Sequence, residues 1–308
     1  MNKLTKYGLT ALAGSLVATS VSAGEMAVSG GWSWSYDSAD SDESGNPMSM
    51  GNSVTFTGSG ETDQGWTATY KMELDHGYSG YDDQSLTLDM GDSGKLVFSG
   101  ASVTPGGIHM VNDIVPAADT PVYSMTDTGT AYGIARGAGA TSNLSYTLSF
   151  GDVTVSAEMM KGAGTDRSYG VKYTGVEGLT LVAGQSDINP GLVAGETQET
   201  TFGASYAVAG ATIAYQITDV DYPGTGAADE DSTHIGASFA VNDDLSVSYA
   251  TQTNDITGKG EDETVSGFGI SYSMGSMSVA AYAGKTENGN GVSTADDEGK
   301  GLTLSIAF

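Results

Sequence analysis

The chain has 308 residues, with 38 Asp or Glu against 11 Lys or Arg and a net charge of −27. So acidic a chain lacks the electrostatic footprint of a nucleic-acid-binding protein. It has no cysteine, which removes disulfides, Cys-ligated zinc and thiol nucleophiles by inventory, and its 45 glycines against six prolines fit many strands and turns better than helices.

At the N-terminus Lys3 and Lys6 precede an apolar stretch from Leu9 to Val21, and Val21-Ser22-Ala23 stands before Gly24. This is the layout of a cleavable secretory signal, so residues 1–23 are set apart from the fold. The apolar stretch is too short to span a bilayer as a helix, and no later apolar run is longer. Loss of Lys3 and Lys6 leaves nine basic residues against 38 acidic ones, a net charge of −29. Residues 24–308 suit one barrel or two soluble domains by length. A closed barrel would stabilise an exported chain without disulfides, because every strand edge is paired.

From there the apolar residues recur with period two in segments of about ten residues, the length of a tilted membrane strand. Met26, Val28, Trp32, Trp34 and Tyr36 share one face of the first segment, with Ser33 and Ser35 on the other. In the third, Trp66, Ala68, Tyr70, Met72 and Leu74 oppose Thr67, Thr69, Lys71 and Glu73. Leu144, Tyr146, Leu148 and Phe150 are followed, across a tight Gly151-Asp152 turn, by Val153, Val155, Ala157 and Met159 opposing Thr154, Ser156 and Glu158. Ile213, Tyr215 and Ile217 oppose Thr212, Ala214 and Gln216; Leu245, Val247 and Tyr249 oppose Ser246 and Ser248.

A soluble sandwich also alternates. Connection lengths separate the two. Long acidic connections at 37–50, 76–82, 102–142, 161–166, 186–197, 220–231, 254–261 and 287–297 alternate with short ones at 61–64, 91–94, 151–152, 175–178, 208–210, 242–244 and 273–276. One end of the barrel then carries loops and the other only turns, as in outer-membrane barrels. Fifteen connections predict sixteen antiparallel strands, an all-β barrel wide enough to hold water. Trp66, Tyr173, Tyr206, Tyr249, Tyr272 and Phe308 are expected on its outside, in belts at the membrane interfaces.

The last segment sets Leu302, Leu304, Ile306 and Phe308 against Thr303, Ser305 and Ala307, with the terminal aromatic resembling the signal read by the outer-membrane assembly machinery. With the signal segment, the sixteen alternating segments and the long connection from Ser102 to Ser142, the chain resembles the general porins of α-proteobacteria. The resemblance implies a homotrimer in the outer membrane, in contact with its lipids, that passes ions and small hydrophilic solutes by passive diffusion. It also implies a third loop folded inward to narrow the pore, with Asp113, Asp119 and Asp127 as its acids and Pro105, Pro116 and Pro121 stiffening its path. Family eyelets set several arginines against such acids, whereas Arg136 and Arg167 are the only arginines of this chain. Lys71 and Lys172, on the polar face, are the better wall candidates; Glu73, Asp89, Glu158, Arg136 and Arg167 complete the ionisable lumen set. The excess of acids argues for a negative pore and cation preference.

Other patterns carry less. Asp40-Ser41-Asp42-Glu43-Ser44-Gly45 resembles the opening of an EF-hand loop, but position twelve is Gly51 instead of Glu. Asp40 and Asp42, like Asp229 and Asp231, are better read as solvated loop acids that attract calcium only loosely, and no cofactor is expected. Gly91-Asp92-Ser93-Gly94-Lys95 fails as a phosphate loop, since Leu96 stands where a hydroxyl is needed. The competing classes are a secreted acidic adhesin and a barrel hydrolase, for which His234 with Asp231 and Ser232 is the one available constellation. His109, in the constriction loop, is expected to be solvated.

Overall fold

A computed structural model describes residues 24, 26–39, 46–75, 83–101, 106–111, 113–116, 122, 143–161, 165–188, 196–223 and 228–308. The signal segment, Asp40, Asp42, Asp119, Asp127, Arg136 and His76 lie outside them. The strands are β1 (Met26–Ala39), β2 (Met48–Glu61), β3 (Thr67–Asp75), β4 (Gln84–Asp89), β5 (Lys95–Ala101), β6 (Asn143–Phe150), β7 (Val153–Lys161) and β8 (Thr165–Val176). They continue as β9 (Leu179–Ile188), β10 (Thr197–Val208), β11 (Ala211–Asp221), β12 (Glu230–Ala240), β13 (Leu245–Ile256), β14 (Glu263–Met274), β15 (Met277–Glu287) and β16 (Asp297–Ala307). Each pairs with its sequence neighbour, and β1 pairs antiparallel with β16 to close the barrel.

Closure leaves no open strand edge, which satisfies the backbone polar groups that hydrocarbon cannot. At the seam Gly30 and Phe308 exchange both backbone hydrogen bonds, at 2.7 and 2.9 Å. The Phe308 ring covers Gly30: a Cβ there would lie 2.6 Å from a ring carbon, so glycine is required for the ring to lie flat on the strand. Packing an aromatic over a strand glycine in this way covers backbone that would otherwise be bare.

The two faces are those the alternation predicts. Phe202, Tyr215, Ile235, Tyr249 and Phe268 are exposed, as are Trp66, Tyr206, Tyr272 and Phe308, while Thr201, Gln216, His234, Gln252 and Asn254 are buried on the opposite face. A soluble sandwich would bury the first set and expose the second. A continuous exposed apolar band of this extent is a membrane surface. Among the described residues no helix is long and apolar enough to cross a membrane, so the strands do the crossing. Replacing Ile235, at mid-strand on the apolar face, by arginine should lower unfolding stability in lipid by about 2–4 kcal/mol. Urea titration of the protein folded into vesicles would measure it, and an unchanged midpoint would place Ile235 outside the bilayer.

The strands run further than expected at the loop end. Residues 37–39 and 48–50, read as loop, extend β1 and β2, and 186–188, 220–221 and 254–256 extend β9, β11 and β13. Beyond the apolar band both faces carry polar residues, so the alternation of hydrophobicity fades while the ladder continues. The long and short connections still alternate, except that 162–164 between β7 and β8 is shorter than the expected 161–166.

Candidate functional site

Two described stretches of the long connection between β5 and β6, residues 106–111 and 113–116, lie against the inner face of the barrel. Its backbone is held by wall side chains: the Gly107 N–H donates to Ser156 Oγ (2.9 Å), Ile108 N–H to Ser168 Oγ (3.2 Å) and Ile114 N–H to Gln216 Oε1 (3.2 Å). Gln216 Nε2 in turn donates to the Val111 carbonyl (3.4 Å) and to Thr201 Oγ1 (2.8 Å). Buried backbone groups outside regular structure require such partners.

Apolar side chains fix the segment sideways. Ile108 and Val111 are fully buried and pack on Val182 of β9, with Met110 and Ile114 against them. Val115 packs on Ala214 of β11 and Ala250 of β13. Burying an Ile or Val side chain is worth about 1.5–3 kcal/mol. The wall makes room with small residues. A Cβ on Gly170 would come within 2.3 Å of the Gly107 carbonyl oxygen, one on Gly184 within 2.7 Å of Ile108, and one on Gly236 within 2.6 Å of Val115. These glycines form an oblique track across β8, β9 and β12. Its traces in the sequence are Ile108, Val111, Ile114 and Val115 in the long connection and glycines on the polar phase of the strands, but the alternation within one strand does not join them.

Of the loop acids, Asp113 is described: its carboxylate accepts the Val115 N–H (3.1 Å) and lies 4.0 Å from His234 Nδ1 on β12. His109 sits in the short 3-10 turn Gly107–Met110. It is half-buried instead of solvated, and burial holds its pKa below the ordinary histidine value. A base whose folded pKa is depressed binds fewer protons folded than unfolded just below its ordinary value, so loop seating is complete above that value and weakens as pH falls through the window beneath it. Conductance recorded against pH should shift on acidification in wild type and not in His109→Gln.

The wall residues divide. Lys71 and Glu73 face inward on β3, 3.4 Å apart, and Glu73 also accepts Thr55 Oγ1–H (3.0 Å). Glu158 is buried on the inner face of β7, accepting Asn143 Nδ2 (2.8 Å) and Ser168 Oγ–H (3.4 Å). Lys172 takes the inward register on β8, opposite Thr154 and Val182. Asp89 is inward as expected but closes β4, where its carboxylate accepts the Gly91 N–H (3.0 Å) and caps the turn. Arg167 is a correction: it shares the outer face with exposed Tyr169 and Val171 and stands beside Asp187 on β9. It lies at the loop end, above the apolar band, where an outward charge meets water.

The hydrolase constellation is not assembled. Ser232 and His234 are buried on the inner face, Ser232 donates to Asn254 (2.8 Å), and Asp231 is exposed on the outer face, facing Asp219 and Asp255 across the strands. Asp229 accepts the Tyr222 N–H (2.9 Å). Among the described residues no three acids or histidines gather as a metal ligand set. A ladder of polar side chains runs on along the inner wall through Asn254 to Glu263 (2.9 Å), which also accepts the Asn290 N–H (2.7 Å) and so ties the last connection to the mouth.

A polar-lined lumen, an apolar outer band and residues 106–111 and 113–116 held on the inner wall agree with a comparison of sequences, in which the family model for Gram-negative porins matches residues 8–293. The chain belongs to the Gram-negative porin family. No curated protein matches its sequence. Solved structures share the fold. A loop-deletion mutant of OmpT, an outer membrane protein of Vibrio cholerae, superposes with a TM-score of 0.70 at 16% identity, over 92% of this chain and 99% of that one. An anion-selective porin from Comamonas acidovorans gives 0.68 at 15%, over 92% and 100%. A mutant Rh. blastica porin gives 0.65 at 13%, over 92% and 100%. This porin is thus a channel-forming barrel of the Gram-negative outer membrane.

Proposed function

We propose that this porin is a cation-preferring diffusion channel for ions and small hydrophilic solutes, narrowed by its third loop. The observation that carries the preference is the charge balance of the inner wall. Among the described residues Asp37, Glu73, Asp75, Asp89, Glu158, Asp166, Glu199, Glu230, Glu263 and Asp297 face inward, against Lys71, Lys95 and Lys172. Clefts lined by one sign of charge concentrate the opposite ion. A neighbour of this fold is described as anion-selective, so the preference rests on the side chains and not on the fold.

The loop reading is supported by residues 106–116, whose seat on the inner wall occupies part of the cross-section. Residues 1–23 are read as a cleaved export signal, the terminal strand with Phe308 as the segment met by the assembly machinery, and the working form as a homotrimer in contact with outer-membrane lipids. One of the solved OmpT structures is described as a trimer form. The deciding experiment is single-channel recording of detergent-purified protein in a planar bilayer, with the reversal potential taken across a potassium chloride gradient. Stepwise conductance with a potassium-favouring potential is expected; a chloride-favouring one overturns the preference, and no current from folded protein overturns the channel.

A further inference from the structure

The seated loop covers the wall from β7 to β13, and the wall across the lumen, formed by β15, β16, β1, β2 and β3, is built differently. It holds a recess of about 410 Å³. Gly31 and Gly51 open it, because neither places a side chain between its neighbours; a Cβ on Gly31 would find no atom nearer than 3.8 Å. Ser33, Ser53, Ser278 and Ser305 bring hydroxyls to it, and Ser33 stands directly across from Gly51 and Ser305 in the ladder. Glu73 and Asp75, consecutive inward residues of β3, add carboxylates, and Trp32, Asn52, Ser276, Ile306 and Ala307 form the rest of the lining. The Glu73 carboxylate is held in place by Thr55 Oγ1 at 3.0 Å and by Lys71 Nζ at 3.4 Å.

This is a chemical pattern. Each serine hydroxyl both donates and accepts, which matches the hydroxyls of a carbohydrate without selecting charge. Carboxylates that only accept match an ammonium group. A side chain already pinned loses little freedom when a ligand arrives. The volume falls within the roughly 300–1,000 Å³ of small-molecule sites. We propose that this recess is a subsite for small polyhydroxylated cations, sugars that carry an ammonium group, on their way past the loop. The inference rests on the channel reading and names the solute class that the wall retains.

The test is block of the potassium current through single channels by three ring compounds of similar size: glucosamine hydrochloride, glucose, and cyclohexylammonium chloride. Glucosamine has both features, and each control lacks one. Glucosamine is expected to block with an apparent affinity about three- to tenfold higher than either control, the effect of one or two added hydrogen bonds. Gly31→Val, whose Cβ finds no atom nearer than the Ile306 carbonyl oxygen at 3.8 Å, should remove that advantage when each channel is scored against its own potassium current. Glu73→Gln should bring glucosamine down towards glucose. Equal block by all three compounds, or an advantage that survives Gly31→Val, overturns the subsite while the channel stands. Absence of any potassium current from folded protein overturns the channel itself and the subsite with it.

Discussion

Gly170→Ala is expected to raise single-channel conductance while leaving the barrel closed. The new methyl would sit 2.3 Å from the Gly107 carbonyl oxygen and 3.1 Å from its carbon, and both are backbone atoms that no rotamer change can move aside. Gly107 cannot retreat sideways, since its own Cβ position is 1.9 Å from Ser168 Oγ and its φ of +58° favours glycine. Overpacking of this kind costs about 1–3 kcal/mol, and an unyielding contact belongs at the upper end. Burial of Ile108 returns about 1.5–3 kcal/mol and each loop-to-wall hydrogen bond about 0.5–1.5. The terms are of similar size, so lifting the segment off Ser156 and Ser168 becomes a populated alternative. The ladder of β8 to β7 and β9 loses no hydrogen bond, so unfolding of the barrel should change little. Gly58→Ala, on the outer face opposite Tyr70, where a Cβ finds nothing within 4 Å, is the control for the backbone effect of a strand glycine replaced by alanine. Equal conductance in wild type and Gly170→Ala would mean that the loop does not limit the current.

That seat shows where sequence reading stops. The faces of β3, β7 and β11 are legible because each strand carries its own alternation, and Lys71, Glu73 and Glu158 take their side from the apolar residues beside them. The strand ends are not, because Asp37 and Asp255 lie beyond the apolar band, where nothing penalises a charge on either face. Arg167 shares the phase of Tyr169 and Val171, so its outward position was open to the same alternation. With only two arginines in the chain, the resemblance to porins with arginine-lined eyelets drew it towards the lumen. The glycine track is of another kind. Gly170, Gly184 and Gly236 belong to different strands, and only the register between strands sets them in one oblique row beneath Ile108, Val111 and Val115. Period-two reasoning within a strand carries no information on that register, which the turns and closure of the barrel fix.

The second large effect concerns the sign of the current. Glu73→Lys should move the channel towards chloride by about one to two orders of magnitude in the permeability ratio. An ion passing about 5 Å from a unit charge in water feels about 0.8 kcal/mol, and the substitution changes the local charge by two, so each ion's energy shifts by about 1.6 kcal/mol, in opposite directions for potassium and chloride, before screening by salt reduces it. Glu73 is suited to the test because its side chain keeps 20% exposure on the wall facing the loop, whereas Glu158, Glu199 and Glu263 are almost fully buried. The lysine would stand beside Lys71, itself 45% exposed, so both ammonium groups can reach the water of the lumen. Because the Debye length is about 10 Å at 0.1 M salt, the shift should be largest in dilute gradients and shrink as salt rises. Reversal potentials at two ionic strengths measure both features. A shift independent of salt would point to altered pore shape, and no shift would move selectivity away from this wall to the acidic mouth. Lumen-facing side chains tune selectivity in such barrels because the permeating ion passes them at close range in water, so the sign belongs to the wall and not to the strand framework.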